Sequence, residues 1–281
     1  MIQDQYTNYL YLADVLPQKY PDFFNRLSAL LNDAGIKFSL LPHTKDIWAV
    51  DYMPIQISSD KFVQFIYDPD YLQSKELLKT ISDVDLICDQ IGITTRKFDI
   101  KLDGGNVIKE KNCAVLCDKV FKENRHISKS DLEGKLKQAL QIERIIFIPT
   151  DPLDKIGHAD GMVRFINDTT VIINDYATED KALGDKLKNI LTNAGLNFIE
   201  IPYNPYHNKK DIQANGIYIN YLQMKNIIIL PVFNIKEDEV TVKQFEKIFD
   251  GQTIQTIESN EIAAQGGVLN CISWNIKAGK K

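Results

Sequence analysis

Residues able to act as nucleophile, proton carrier or charge partner recur at loop-like places along this chain, roughly fifty residues apart. In order they are Asp51 in DIWAVDYMP, Asp103 in LDGGN, His158 with Asp160 in GHADG, and Cys271 in GGVLNC. A cysteine attacks only as its thiolate, which needs a nearby positive charge. An imidazole moves protons near neutral pH. Carboxylates brought together repel one another unless a cation lies between them. If these places meet in space, the set suits thiol attack on a cationic electrophile.

Each residue also has a plainer reading. Cys271 taken alone fits a buried strand cysteine. Its position after Gly266-Gly267, equivalent to the loaded loops of the other units, favours a nucleophile held where backbone approaches closely. His158 lies between two glycines, with Asp160 two residues on and an alternating strand after it, so both side chains are expected on one side. His43, His126 and His207 stand among polar or charged residues and read as surface. Asp103 before Gly104-Gly105-Asn106 also fits simple turn chemistry. In an extended DIWAVD loop, Asp46, Trp48 and Val50 face one way and Asp51 the other. One histidine with aspartates is a poor zinc set, and no calcium or phosphate loop motif is present, so neither metal nor cofactor is expected.

These loops need elements to converge them, and the chain supplies about five similar units of helix, strand, loop and hairpin. FFNRLSALLNDAG has helical spacing at Phe24, Leu27, Leu30 and Leu31, with Gly35 as its stop. FSLLP is a strand, and IQI with FVQFIY flank a turn at Ser58-Ser59-Asp60. The second unit runs SKELLKTISDVDLICDQIG as helix, TTRKFDI as strand, then a hairpin turning at Lys111-Asn112. The third and fourth turn at Asn167-Asp168 and Lys225-Asn226, and the fifth ends with the strand VLNCISWNI. The tail KAGKK reads as a frayed end. One such unit cannot bury both faces of its sheet. Five in a ring can, with helices outside and loops near the axis. The expected class is α/β, a five-bladed pseudo-symmetric α/β propeller forming a single domain over 1–281; the rival is an open α/β sheet.

Bulk properties narrow the function. The chain has 281 residues, is 44% hydrophobic and 25% charged, and carries a net charge of −5. Without a basic patch interleaved with aromatics, a nucleic-acid partner is not expected. Without a long apolar run or a leader-like start, neither a membrane span nor a secretory signal is expected. Cys88, Cys113, Cys117 and Cys271 show no disulfide spacing, which fits a reducing cytoplasm. In CAVLC, Cys113 and Cys117 share a face and read as buried filler.

A planar guanidinium is the cation that best fits clustered carboxylates. Its five N–H donors form a fork that carboxylates accept in pairs. Its central carbon is a weak electrophile that a thiolate held about 3 Å away attacks. The set DxWxxD, xDGGN, GHxDG and GGxxNC, in this order, resembles the agmatine deiminase and bacterial peptidylarginine deiminase family, of the guanidine-modifying pentein superfamily, over nearly the whole chain. The resemblance implies Cys271 as nucleophile and His158 as proton carrier. It implies Asp51 and Asp160 as the guanidinium clamp, Asp103 as the acid supporting the histidine, and Trp48 as a pocket wall beside Asp46. It implies a covalent thiouronium intermediate, no cofactor, and a small cationic guanidine as partner, with a homo-oligomer left open. Val50 stands where many relatives carry Arg, and Asp103 where the acid is often Glu. The shorter acid is expected to reach the histidine and not the substrate. No arginine lies in these loops, and Arg164 only follows one, which favours agmatine over free or peptidyl arginine. An amidinotransferase, a non-catalytic binding ring and a papain-like hydrolase are the alternatives.

Overall fold

The computed structural model describes residues 1–205 and 213–279. His207 and the terminal Lys280 and Lys281, expected as a surface histidine and a frayed end, lie outside the described residues. The secondary structure resolves into five three-stranded sheets. Four are built alike: a hairpin, a crossing segment with helix, and a third strand parallel to the middle one. The second sheet holds β3 (Ile55–Ser58), β4 (Lys61–Ile66) and β5 (Thr95–Lys101); the third holds β6 (Ile108–Lys109), β7 (Cys113–Cys117) and β8 (Arg144–Ile148). The fourth holds β9 (Val163–Asn167), β10 (Thr170–Asn174) and β11 (Asn197–Ile201); the fifth holds β12 (Leu222–Met224), β13 (Ile227–Val232) and β14 (Thr253–Glu258). The first sheet has the same pattern from the two chain ends. β1 (Tyr9–Ala13) runs antiparallel to β15 (Ser273–Ile276) and parallel to β2 (Phe38–Leu41).

This pairing corrects the unit read from the sequence. Within each unit the strand and the hairpin belong to different sheets, and the loop between them passes from one sheet to the next. β1, not anticipated as a strand, completes the hairpin of the last unit. The helix expected from Ser74 to Gly92 is two helices. Taking the main helices as α1 (Pro21–Asp33), α2 (Lys75–Leu78) and α3 (Val84–Gln90), the break follows from a second start signal. Asp83 caps α3 by accepting from Leu86 N at 3.1 Å, and Ser82 Oγ is taken by Lys45 N at 2.9 Å. On α1 the buried stripe is Phe23, Leu27 and Leu31, with Phe24 and Leu30 flanking it half-buried. Gly35, at φ +67°, ends that helix: Ile36 N closes back onto Leu31 O at 2.9 Å.

The middle strand β7 is covered on both faces. Cys113, Val115 and Cys117 pack with Leu183, Leu187 and Leu191 of α5 (Lys181–Asn193). Ala114 and Leu116 pack with Leu132, Leu136 and Leu140 of α4 (Lys129–Leu140). Period two therefore sends alternate residues of CAVLC into two cores, and Cys113 and Cys117 are filler on one face as expected. The last long helix, α6 (Glu237–Ile248), seats Phe245 beside the ring of Tyr221, 5.2 Å between centroids. Among the described residues no helix is long and apolar enough to cross a membrane.

Candidate active site

Four of the five sheet-to-sheet loops line one cavity of about 640 Å³. The β2–β3 loop brings Asp46, Trp48 and Asp51; the β8–β9 loop brings Asp154, His158 and Asp160; the β11–β12 loop brings Asn220; the β14–β15 loop brings Gly267 and Cys271. The β5–β6 loop supplies Asp103 and Gly105 behind this wall. Residues distant in sequence thus become neighbours because equivalent loops leave equivalent strand ends.

Local geometry differs from the sequence expectation in three ways. Cys271 precedes β15 and is not inside a strand. His158 and Asp160 flank and enter a 3₁₀ turn, Ala159–Gly161, and share the cavity by that turn and not by strand alternation. Asp51 lies in a helical turn, Ala49–Tyr52, so Asp46, Trp48 and Asp51 all reach the cavity instead of facing apart. His43 and His126 are exposed, as read.

The centre of the site is almost dry. Asp51 is 6% exposed, His158 3%, Asp160 2% and Cys271 8%. The Cys271 thiol lies 3.5 Å from Asp160 Oδ2. The same oxygen accepts Asn270 Nδ2 at 2.7 Å. His158 Nε2 donates to Asp103 Oδ2 at 2.7 Å, and Nδ1 faces Asp51 Oδ1 at 3.4 Å. Asp51 Oδ1 is itself held by Gly105 N at 3.0 Å. Asp103 sits behind the imidazole, holds its Nε2, and does not line the cavity. Val50 N donates to Cys271 O at 3.3 Å, which ties the β2–β3 loop to the cysteine.

Two glycines leave the room this packing needs. A Cβ on Gly105 would fall 2.5 Å from Asp51 Oδ1 and 2.8 Å from His158 Nδ1. A Cβ on Gly267 would fall 2.6 Å from the Trp48 ring and 3.0 Å from the Cys271 sulfur.

The charges are unbalanced in a specific way. Burial alone would lower the pKa of His158, yet Asp51 and Asp103 lift it well above the ordinary imidazole value. Burial pushes the Cys271 thiol well above its ordinary value, and Asp160 and Asp51 push further. Burial also raises Asp51 and Asp160. For Asp103 burial acts upward, but the His158 hydrogen bond and Lys119 carry its pKa below the usual value. The ligand-free site therefore sets one imidazolium and a neutral thiol against Asp51, Asp103 and Asp160, and is short of positive counter-charge. A cation entering between Asp51, Asp160 and the sulfur supplies it.

Several important residues carried no usable sequence signal. Asn220 is one: Oδ1 accepts Cys271 N at 3.2 Å and Asn270 N at 3.1 Å, while Nδ2 donates to Cys271 Sγ at 3.2 Å. Its place in the loop equivalent to the other four was the only available pointer. Asp154, a further half-buried acid on the wall, sits in DPLDKIGHADG without a motif of its own. Arg164 does not face the cavity; it pairs with Asp4 Oδ2 at 2.8 Å and stacks on Tyr221.

With this geometry in view, a family model described as Porphyromonas-type peptidyl-arginine deiminase matches residues 17–276. The chain belongs to that family. Among curated proteins, one named as a candidate agmatine deiminase from Mycoplasma mycoides subsp. mycoides SC is 25% identical over 219 residues, which is 66% of this chain and 60% of that protein. The chain thus spans about 60% of the length of the curated relatives it matches first. Among solved structures, the agmatine deiminase of C. jejuni superposes with a TM-score of 0.81 at 20% identity, covering 100% of this chain and 96% of its own. DDAH from Pseudomonas aeruginosa gives a TM-score of 0.59 at 11% identity, covering 96% of this chain and 99% of its own. These neighbours share the α/β fold of five small sheets described above.

Proposed function

We propose that the chain is a cysteine-dependent guanidine iminohydrolase that converts agmatine and water to N-carbamoylputrescine and ammonia, as a single domain over 1–281. The observation that carries this is the convergence of Cys271, His158, Asp51 and Asp160 on one acidic cavity. In this reading the five sheets are blades of a closed pseudo-symmetric ring, with the loops gathered at one end of its axis. Free thiols and a small cationic substrate suit a cytoplasmic enzyme.

Asp51 and Asp160 receive the guanidinium N–H groups and hold its plane. The cation lowers the cost of ionising Cys271, whose proton passes to solvent as the guest binds, and the thiolate attacks the central carbon as a C–S bond forms. His158 gives its proton to the departing nitrogen, the C–N bond breaks, and ammonia leaves a cationic S-alkylthiouronium. Neutral His158 then takes a proton from water and the hydroxide adds to the same carbon; as the C–S bond breaks to return the thiolate, the new hydroxyl gives its proton to solvent. The product is a neutral urea group, so the carboxylates lose their hold on it. Trp48 walls the bound plane, with Asp46 beside it. No arginine lines the cavity among the described residues, and its acids Asp46, Asp154 and Glu179 outnumber its lysine, Lys155. That balance favours a decarboxylated guanidine over arginine.

The test is a panel of agmatine, arginine, methylated arginines and an arginyl peptide, scored for ureido product and ammonia. Agmatine should turn over best, and Cys271→Ala should lose turnover while staying folded. An alanine variant as fast as wild type would overturn the mechanism. Ammonia release that depends on an added amine acceptor would point to an amidinotransferase.

A further inference from the structure

Lys119, in the short helix Lys119–Glu123, is a buried cation, 7% exposed, on the far side of Asp103 from the cavity. Its Nζ lies 3.4 Å from Asp103 Oδ2, the oxygen that His158 Nε2 already occupies at 2.7 Å and that Tyr71 Oη reaches at 3.4 Å. The same Nζ donates to Ile156 O at 2.7 Å, two residues before His158. It stands 4.6 Å over the Tyr71 ring, whose edge meets the His158 ring at 6.1 Å between centroids. One ammonium thus touches the histidine's acid, the histidine's loop and the ring packed on the histidine.

We propose that Lys119 is a positioning residue that keeps the His158 proton transferable, by sharing the Asp103 oxygen with the imidazole and fixing the loop that carries it. The proposal rests on the deiminase reading of the site and adds a residue to it. The reason is one of balance. His158 is faced by Asp51 from the helical turn, Asp103 from the β5–β6 loop, Tyr71 from the 3₁₀ turn Asp70–Leu72, and Asp154 and Asp160 from its own loop. Four acids against one imidazolium hold the proton too firmly for a group that must release it to ammonia and recover it from water. Lys119 is the cation that offsets them. It draws on the charge of the shared oxygen and adds a like charge behind it. Glu123 Oε1 at 3.4 Å and Asp70 Oδ1 at 3.8 Å in turn keep the lysine charged.

Without the ammonium, Asp103 binds the imidazolium more tightly, and Glu123 loses its partner while Asp70 keeps Lys122 at 2.8 Å. The His158 titration should then move upward. The decisive experiment is an NMR titration of the His158 C–H signals in ligand-free protein. An Asp51→Asn background removes one flanking acid and brings the midpoint into a measurable range. Lys119→Met should raise that midpoint by about one pH unit or more, and Lys119→Arg should return it toward its starting value. An unchanged or lowered midpoint in folded Lys119→Met overturns the proposal. If that variant does not fold, Lys119→Met with Glu123→Gln relieves the unpaired acid and is read in the same way.

In the otherwise native enzyme, Lys119→Met should lower kcat about tenfold or more with little change in KM, because Lys119 does not line the cavity. The covalent Cys271 adduct should build up by intact mass, since water activation becomes the slow step. Equal losses in kcat and KM without adduct would overturn the kinetic role. Absence of turnover in the wild-type protein would instead count against the deiminase reading, and the titration would still decide Lys119.

Discussion

At the residue scale the site is governed by how little space and how little counter-charge it has. Cys271, His158, Asp160 and Asp51 could be read from sequence because their types are scarce or charged and stand beside glycine or in a short polar loop. Asn220 and Lys119 could not, because an amide and a lysine have so many ordinary surface uses that spacing alone does not single them out. Gly105 gives the first prediction. A methyl there meets Asp51 and His158 within 2.5 and 2.8 Å, so Gly105→Ala must move one of them. A shift near one ångström at reacting groups costs about 10²-fold. The variant should lose about that much kcat, measured by ureido product, while its circular dichroism stays native. A second prediction follows from the charge of the thiol. Because Cys271 is held protonated, iodoacetamide should label it slowly at pH 7 and faster as the pH rises through the alkaline range. A cationic haloacetamidine should react at pH 7 about tenfold faster than it does with a free thiol. Mass spectrometry of the adduct reads both, with Cys271→Ala as control, and equal rates for the two reagents would remove the role given to the clamp.

At the element scale, helix–strand–hairpin repetition was legible because hydrophobic spacing and turn residues mark each piece locally. Sheet membership was not, since a parallel third strand is chosen by packing after a helix crossover and leaves no mark in its own residues. β1 escaped for a related reason: its hairpin partner β15 lies at the other end of the chain. The loops between sheets have to be tied to one another by side chains, and Asn220 is the tie between the fourth and fifth. It is 3% exposed, and its Oδ1 holds the backbone N–H of Cys271. Asn220→Ala should cost about 1–3 kcal/mol of stability through a buried donor left unmet, seen as a lower urea midpoint. Asn220→Asp separates the two jobs of this side chain. It keeps the acceptor for the backbone, so stability should fall less. It also places a further negative charge where Nδ2 met the sulfur, so alkylation by iodoacetamide at pH 7 should slow relative to wild type. If both variants lose stability equally and label equally, Asn220 is structural filler.

At the scale of the whole molecule, five loops are gathered so that like charges lie together away from water, and this arrangement should cost stability in the absence of a guest. The sign can be worked out group by group. His158, whose pKa is raised, stabilises the fold fully below its unfolded value near ~6.5 and loses that contribution as pH climbs through the folded value. Asp51 and Asp160, also raised, act the other way. They cost nothing while protonated in both states, and their penalty grows as pH rises above the unfolded value near ~3.9 toward the folded one. Cys271 adds a similar penalty above ~8.5. Asp160 is the cleanest probe, because burial is the main cause of its raised pKa and Asp51 adds to it, while Asn270 Nδ2 still finds an acceptor in an amide. Asp160→Asn should therefore melt a few degrees above wild type at pH 7, for a gain of about 1 kcal/mol. The two proteins should converge below about pH 3, where the carboxyl is largely protonated in both states. Agmatine should raise the Tm of Cys271→Ala, which binds without turning over, and should leave Asp160→Asn in the same background nearly unmoved. Calorimetry from about pH 3 to about pH 8 with and without agmatine tests this directly. A variant that melts below wild type at pH 7 and also responds to agmatine would mean that Asp160 is satisfied by its neighbours and takes no share of the cation.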